Sequence, residues 1–303
     1  MSRPEFIMMV GLPGSGKSTI AERMAEEKNT IILSSDQLRK ELFGDENSQE
    51  NNEKVFAILH REIKNNLKAG NNVIMDSTNI SSKRRRAFLR ELKNISCKKI
   101  CAVVETPFAM CLALNDARDR VVPYEVIERM YMNWNTPYWF EGWDNIHRYH
   151  SNYCGYENIG DWQLNYMLFD QDNWHHSNSL GKHSLLTGKE LLRYEDEALY
   201  AAGCLHDCGK PFTKSFKNSK GEETEAAHYY RHENVGAYDS LFFKYPNYVE
   251  ALDVSILINL HMQPYFWERE ENSEKIAMKY KKLWGEELFN KVMKLHEADK
   301  NAH

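Results

Sequence analysis

The sequence predicts two domains: an α/β domain built on a parallel sheet, then a second domain of helices and loops. Three observations carry this. Short apolar strands alternate with helix-like runs through the first hundred residues, the pattern of strands joined by crossover helices. A glycine-rich loop, "GLPGSGKST" at 11–19, falls between the first strand and the first helix. After about residue 110 the strand pattern disappears, and from 180 onward the chain reads as helices and loops only.

The elements follow in order. "EFIMMVG" is a strand and "GKSTIAERMAEEK" a helix; "TIILSSD" is a second strand, followed by the helical "QLRKELFG". "EKVFAILHREIKNNLKAG" has apolar residues at helical spacing and stops at Gly70. "NNVIMDS" is a third strand, "SKRRRAFLRELKN" a helix opened by Ser81 and Ser82, and "KKICAVVET" a fourth strand. "PYEVIERMYMNW" is a helix with proline near its first turn. The stretch 135–175 is rich in Asn, Tyr, Trp and Gly with weak periodicity, which places the boundary near 150–165. The expected domains are residues 1–155 and 165–303, and 303 residues suit two domains.

Composition excludes several classes. Hydrophobic residues make up 42% and charged residues 27%, as in a folded globular chain. No apolar run approaches the roughly 18 residues of a membrane span. The six cysteines, including Cys154, form no CxxC pair, so reduced thiols and a cytoplasmic location are expected. The net charge of −5 divides into +2 over residues 1–150 and −7 over 151–303. A polynucleotide, if bound, is therefore held at its ends by local patches. The one basic cluster is Lys83, Arg84, Arg85, Arg86 and Arg90, read either as a solvated helix face or as a phosphate contact.

The loop satisfies G-x-x-x-x-G-K-[ST] in the strand–loop–helix setting that motif requires. Gly11, Pro13, Gly14, Ser15, Gly16 and Thr19 supply a backbone whose N–H groups face phosphates, Lys17 neutralises the β/γ oxygens, and Ser18 can hold Mg²⁺. ATP, or another nucleoside triphosphate, is the expected cofactor. Asp36 and Asp76 end two strands and should lie on the rim where ligands bind in open α/β sheets. One can accept a proton from an attacking hydroxyl and the other can support Mg²⁺ or the acceptor; each could equally be a helix N-cap. Arg118 and Arg120, in "LNDARDRVVP", are the candidates for an arginine over the γ-phosphate.

"GLPGSGKST", "SSDQLRKELFG", "MDSTN" and "NDARDRVVPYEVIERM" together resemble the polynucleotide kinase branch of P-loop phosphotransferases, over roughly residues 5–145. The resemblance implies that Asp36 is the general base on a 5′-hydroxyl and that Arg39 contacts the acceptor end. It further implies that Arg118 is the lid arginine on the donor phosphates, with Asp76 and Asn79 on the acceptor side. Related lids often carry arginine where this chain has Leu114. Kinases of small hydroxylated metabolites share much of the pattern.

In the second half, "GCLHDCGKPF" sets His206 beside Asp207 at the end of an apolar helical run. Neighbours on a helix point about 100° apart, so both reach one ion only if it sits beside the helix. His183, His232, His261 and Asp299, each in its own helix-like segment, can complete a centre. Such wide spacing excludes a zinc finger, and imidazole with carboxylate suits Mn, Fe, Ni, Co or Zn. Lys210 follows at one turn and could bind a substrate phosphate. His228, His296 and His303 are read as ordinary histidines.

"HDCGKPFTK…HENVGA" resembles the HD phosphohydrolase superfamily, over roughly residues 170–303. The resemblance implies a first metal site of His183, His206, Asp207 and Asp299, with His232 and His261 as the extra ligands of two-metal members. The chain as a whole then resembles bifunctional polynucleotide kinase-phosphatases, with an HD module in place of a D-x-D-G-T phosphatase. Such an enzyme phosphorylates a 5′-OH and removes a 2′,3′-cyclic or 3′-phosphate. Its partners would be nucleic-acid ends, RNA ahead of DNA, and a ligase acting downstream; no membrane is expected and a homo-oligomer is compatible. The alternative is a nucleoside or small-molecule kinase fused to an HD nucleotide phosphohydrolase.

Overall fold

The computed structural model describes residues 3–44, 51–150, 156–174 and 177–302. Cys154 and His303 lie outside them. The chain divides into two compact units: residues 1–127 with 137–154, and residues 128–136 with 155–303.

The first unit contains β1 (Glu5–Val10), α1 (Lys17–Lys28), β2 (Ile31–Ser34), α2 (Ser35–Phe43), α3 (Asn52–Lys68), β3 (Val73–Asp76), α4 (Ser82–Glu91), β4 (Lys98–Glu105), α5 (Phe108–Asp116), the first half of α6 (Tyr124–Tyr131) and β5 (Asn145–His150). The sheet runs β2-β3-β1-β4-β5 and is parallel throughout. The central strand β1 is apolar on both faces because helices cover both. Ile7 and Met9 pack with Ile74, Ile100, Ala102, Val104 and Ala21 of α1. On the alternate residue Phe6 meets Phe88 of α4 edge to face at 5.4 Å. Each such buried side chain stabilises the unit by about 1.5–3 kcal/mol relative to exposure.

The expected strands β1 to β4 are all present. β5 corrects the expectation that strands end near residue 110. "NIHRYH" pairs with β4 alone and is half exposed, so an edge position lets it carry polar residues and hides it from an apolar pattern. β2 also ends earlier than expected. Ser34 caps α2, its hydroxyl accepting from the Asp36 and Gln37 amides, so Asp36 sits in the first helical turn.

The second unit is helical: α7 (Ile159–Asn165), α8 (Leu180–Leu191), α9 (Glu197–Leu205), α10 (Lys210–Thr213), α11 (His232–Asp239), α12 (Ala251–Leu260), α13 (Gln263–Glu268), α14 (Ser273–Trp284) and α15 (Glu286–Asn301). One hairpin, β6 (Ser215–Lys217) with β7 (Glu223–His228), was not foreseen. Its strands are short and rich in charge, so no periodicity marks them. Residues 128–136 belong to this unit. Trp134 is fully buried against Tyr238 at 4.9 Å, Thr136 Oγ1 lies 2.6 Å from Ser255 Oγ, and Asn234 donates to the Met132 carbonyl. No described helix is long and apolar enough to cross a membrane. The five described cysteines are buried thiols.

Candidate functional site

The P-loop takes its form from two left-handed glycines, Gly14 at φ 78° and Gly16 at φ 88°. A Cβ on Gly14 would stand 2.1 Å from the Cys111 carbonyl oxygen, so only glycine allows this approach to α5. Thr106 fastens the loop by donating to the Ser15 carbonyl at 2.9 Å. Lys17, at the start of α1, donates to the Leu12 carbonyl at 2.6 Å. Burial pulls its ammonium below the ordinary range, Asp76 opposes that shift, and Arg118 adds to it. Ser18 Oγ donates to Asp76 Oδ2 at 2.8 Å, which sets two oxygens side by side at the end of β3. Hard oxygen donors of this kind suit Mg²⁺.

Asp36 is held from two directions. Arg39 Nη1, one turn along α2, lies 2.6 Å from Oδ1, and Arg120 Nη1 lies 2.6 Å from Oδ2. Arg39 itself is buried and donates to Asn52 Oδ1. Of the two arginine candidates, Arg120 therefore reaches Asp36, while Arg118 acts on Lys17 through its charge. Asn79 takes a left-handed conformation and donates to the Met9 carbonyl at 2.8 Å. Its own carbonyl accepts from Arg85 Nη1. Arg85 is almost fully buried and pairs with both oxygens of Glu141, at 2.8 and 2.6 Å. Of the basic cluster on α4, Arg85 is thus an internal brace, and Lys83, Arg84 and Arg90 are exposed.

In the helical unit the six expected residues converge. His183 comes from α8, His206 caps the end of α9 with Asp207 next to it, His232 opens α11, His261 caps the end of α12, and Asp299 lies on α15. His183 Nε2 stands 3.1 Å from His206 Nε2, and Asp299 Oδ1 lies 3.0 and 3.3 Å from those two nitrogens. His232 Nε2 stands 3.2 Å from His261 Nε2. Asp207 spans both groups: Oδ2 lies 3.3 Å from His206 Nε2, and Oδ1 lies 3.2 Å from His232 Nε2. Two groups with metal-ligand spacing result, His183–His206–Asp207 and Asp207–His232–His261.

The second ring nitrogens fix the tautomers. The Nδ1 of His206, His232 and His261 each donates to the carbonyl three residues earlier, Gly203, Tyr229 and Ile258, at 2.8, 2.7 and 2.6 Å. His183 Nδ1 faces the Ala302 carbonyl at 3.4 Å. All four Nε2 atoms therefore turn inward, the orientation of metal-binding imidazoles. The carboxyl ends of α9 and α12 add negative dipole ends that favour a cation. Burial disfavours charge on His206, yet Asp207 and Asp299 outweigh it and raise its pKa to about 10. Burial, with His232 and His206 nearby, pulls His261 down to about 3. Burial also works against the two carboxylates, but Lys210 and His206 hold Asp207, and His206 holds Asp299, well below the usual range. A proton on His206 thus binds together donors that face one another. With that proton displaced, the set of four inward Nε2 lone pairs and two carboxylates fits divalent cations of the Mn, Fe, Co, Ni or Zn type.

Lys210 Nζ lies 2.7 Å from Asp207 Oδ2 and 2.7 Å from Gln171 Oε1, over the Tyr229 ring at 5.3 Å. Gly209 permits close passage: a Cβ there would stand 2.2 Å from the His232 carbonyl oxygen. His228 stacks on Tyr230, and His296 bonds Glu268, both outside the cluster as expected. No sequence signal marks Gln171, in a stretch without periodicity, or Tyr265, whose hydroxyl donates to Asp299 Oδ2 at 3.0 Å.

Residues 6–137 match the family model described as an AAA domain, and residues 174–302 match that of the HD domain. A curated relative, L-seryl-tRNA(Sec) kinase of Methanococcus maripaludis, is 31% identical over 150 residues, 46% of this chain and 56% of the relative. The chain thus spans little more than half the length of that relative. Among solved structures, the Pnkp1/Rnl/Hen1 RNA repair complex contains a chain 25% identical, with 44% of each chain covered and a TM-score of 0.38. A gluconokinase from Sinorhizobium meliloti is 16% identical, covering 50% of this chain and 85% of its own, with a TM-score of 0.37. The chain joins an N-terminal P-loop kinase domain of the AAA type to a C-terminal HD domain.

Proposed function

We propose that this protein heals nucleic-acid ends, phosphorylating a 5′-hydroxyl at the P-loop site and removing a 2′,3′-cyclic or 3′-phosphate at the HD site. The observation that carries the reading is the presence, in one chain, of an arginine-flanked carboxylate beside a P-loop and a six-residue imidazole–carboxylate centre. A relative named for acting on a charged tRNA supports an acceptor carried on RNA.

At the kinase site the loop amides and the α1 N-terminus receive the triphosphate, and Lys17 exchanges the Leu12 carbonyl for phosphate oxygens. Ser18 and Asp76 would hold Mg²⁺, which neutralises charge on the β- and γ-phosphates. Asp36 accepts the proton of the attacking hydroxyl, and Arg39 and Arg120 orient it. Arg118 faces the donor phosphates.

At the HD site His183, His206, Asp299 and Asp207 Oδ2 would hold one divalent cation, and His232, His261 and Asp207 Oδ1 a second. Bound cations supply a water of lowered pKa and neutralise the phosphate under attack. Lys210 offers its ammonium to a phosphate oxygen, with Gln171 directing it. These parts together make a phosphodiesterase or phosphatase.

A second reading, a kinase of nucleosides or small metabolites fused to a nucleotide hydrolase, is favoured by one observation. Arg85, within the one basic cluster, is spent on Glu141 rather than offered to a polynucleotide. The test uses a short RNA with a 5′-OH and a 2′,3′-cyclic phosphate, ATP, Mg²⁺, and Mn²⁺ or Ni²⁺, with both ends read by mass spectrometry. End healing predicts that Lys17→Ala abolishes only the 5′ gain and Asp207→Ala only the 3′ loss. Unchanged RNA ends alongside phosphorylated free nucleosides would replace this reading with the second.

A further inference from the structure

Tyr265 of α13 touches the HD centre without being one of its ligands. Its hydroxyl donates to Asp299 Oδ2 at 3.0 Å, while Asp299 Oδ1 faces His183 Nε2 at 3.0 Å and His206 Nε2 at 3.3 Å. The two oxygens of one carboxylate thus have different tasks. The Tyr265 ring is itself fixed: it meets the ring of His296 at 4.3 Å and 79°. His296 Nε2 stands 2.8 Å from Glu268 Oε1, which also takes Lys300. Tyr265 and Glu268 lie on α13, and His296, Asp299 and Lys300 lie within two turns of α15. A segment of one helix braces the ligand-bearing segment of the other.

We propose that Tyr265 is a positioning residue that holds Asp299 in a single-oxygen presentation and thereby sets the cation affinity of the half-centre shared with His183 and His206. A carboxylate free at both oxygens can rotate or chelate with both, whereas one anchored by a hydroxyl presents the other at a fixed angle. Hydrogen-bond partners behind metal ligands typically contribute about 10–100-fold in affinity. The other half-centre, His232 and His261 with Asp207 Oδ1, shows no bond to Tyr265 among the described residues, so the effect is confined to one cation.

The inference rests on the reading of this cluster as a two-cation centre, and the experiment separates the two. The full chain, stripped with a chelator, is titrated with Mn²⁺ by calorimetry and by competition with a chromophoric chelator. Wild type, Tyr265→Phe, His261→Ala and the double variant are compared, with metal-free melting curves to report folding. The expected result is that Tyr265→Phe weakens one of two binding steps by about 10–100-fold and leaves the other within twofold. In the double variant the single remaining step weakens by the same factor relative to His261→Ala. A merely structural tyrosine would lower the metal-free melting temperature and weaken both steps together, which overturns the inference. So would unchanged steps in Tyr265→Phe. A wild type that binds no Mn²⁺ overturns the two-cation reading itself.

Discussion

The loop at 11–19 is shaped by nine consecutive residues, whereas the HD centre draws its ligands from positions 183 to 299 on five helices. The loop works through backbone: two left-handed glycines and a helix start turn amides toward an anion. The centre works through side chains, yet it repeats one local device. His206, His232 and His261 each donate from Nδ1 to a carbonyl three residues back, at a helix end. What differs is therefore the range over which parts must be assembled. A local site survives changes elsewhere in the fold; a distributed one fails when any of several helices shifts.

The largest effect should come from Asp207→Ala, since that carboxylate serves both halves of the centre. Hydrolase activity should fall by about 10³-fold or more, because several kcal/mol of charge stabilisation leave with the cations. Lys210 would lose its buried partner, and breaking such a pair costs about 3–5 kcal/mol in the metal-free protein. Phosphate release and thermal unfolding measure the two; retained hydrolysis would mean the centre does not depend on sharing.

Glycine substitutions sharpen the contrast at intermediate cost. Gly14→Ala places a Cβ against the Cys111 carbonyl and should disable the kinase while leaving cation binding intact. Gly209→Ala places one against the His232 carbonyl and should do the reverse. Gly16→Ala meets no atom and adds only the left-handed penalty, about 1–2 kcal/mol. Equal melting temperatures for Gly14→Ala and Gly16→Ala would refute the close approach to α5.

The smallest effect concerns pH. His206 is raised to about 10, so its contribution to metal-free stability is complete below about 6.5 and is lost as pH rises through 10. His261 is lowered to about 3 and stays neutral when buried, so its presence destabilises progressively as pH falls from about 6.5 toward 3. Of these two residues alone, the combined contribution to the metal-free fold is greatest near pH 6.5. Melting curves at pH 5, 6.5 and 8.5 should show it, and His206→Gln should flatten the alkaline side. Cation binding at neutral pH should also release the His206 proton, which a pH indicator can count.

Much of this was legible in the residues themselves. β1 to β4 are covered on both sides or carry apolar runs, so they announce themselves; β5 is an edge and does not. The six HD residues were legible as candidates because imidazole and carboxylate are chemically distinctive, and the fold brings all six together. Tyr265 and Gln171 were not, because a hydroxyl or amide acquires meaning only from the atom opposite, and Tyr265 meets a residue 34 positions away. Arg118 and Arg120 are both candidates by position and the resemblance singles out Arg118, but only the folded chain shows that Arg120 is the one on Asp36.

Trp134 carries one more consequence. The chain enters the second unit at 128, leaves it at 136 and returns at 155. A fragment beginning at 155 would keep the socket around Tyr238 and lose the plug, a vacancy comparable to a Trp→Ala truncation at about 3–5 kcal/mol. A single break cannot leave both units whole: one at 155 leaves residues 128–136 with the first unit, and one at 128 leaves residues 137–154 with the second. An exchange that spares both units must therefore cut the chain three times, at 128, 137 and 155, which makes the crossing stretch of sequence a barrier to shuffling either unit cleanly.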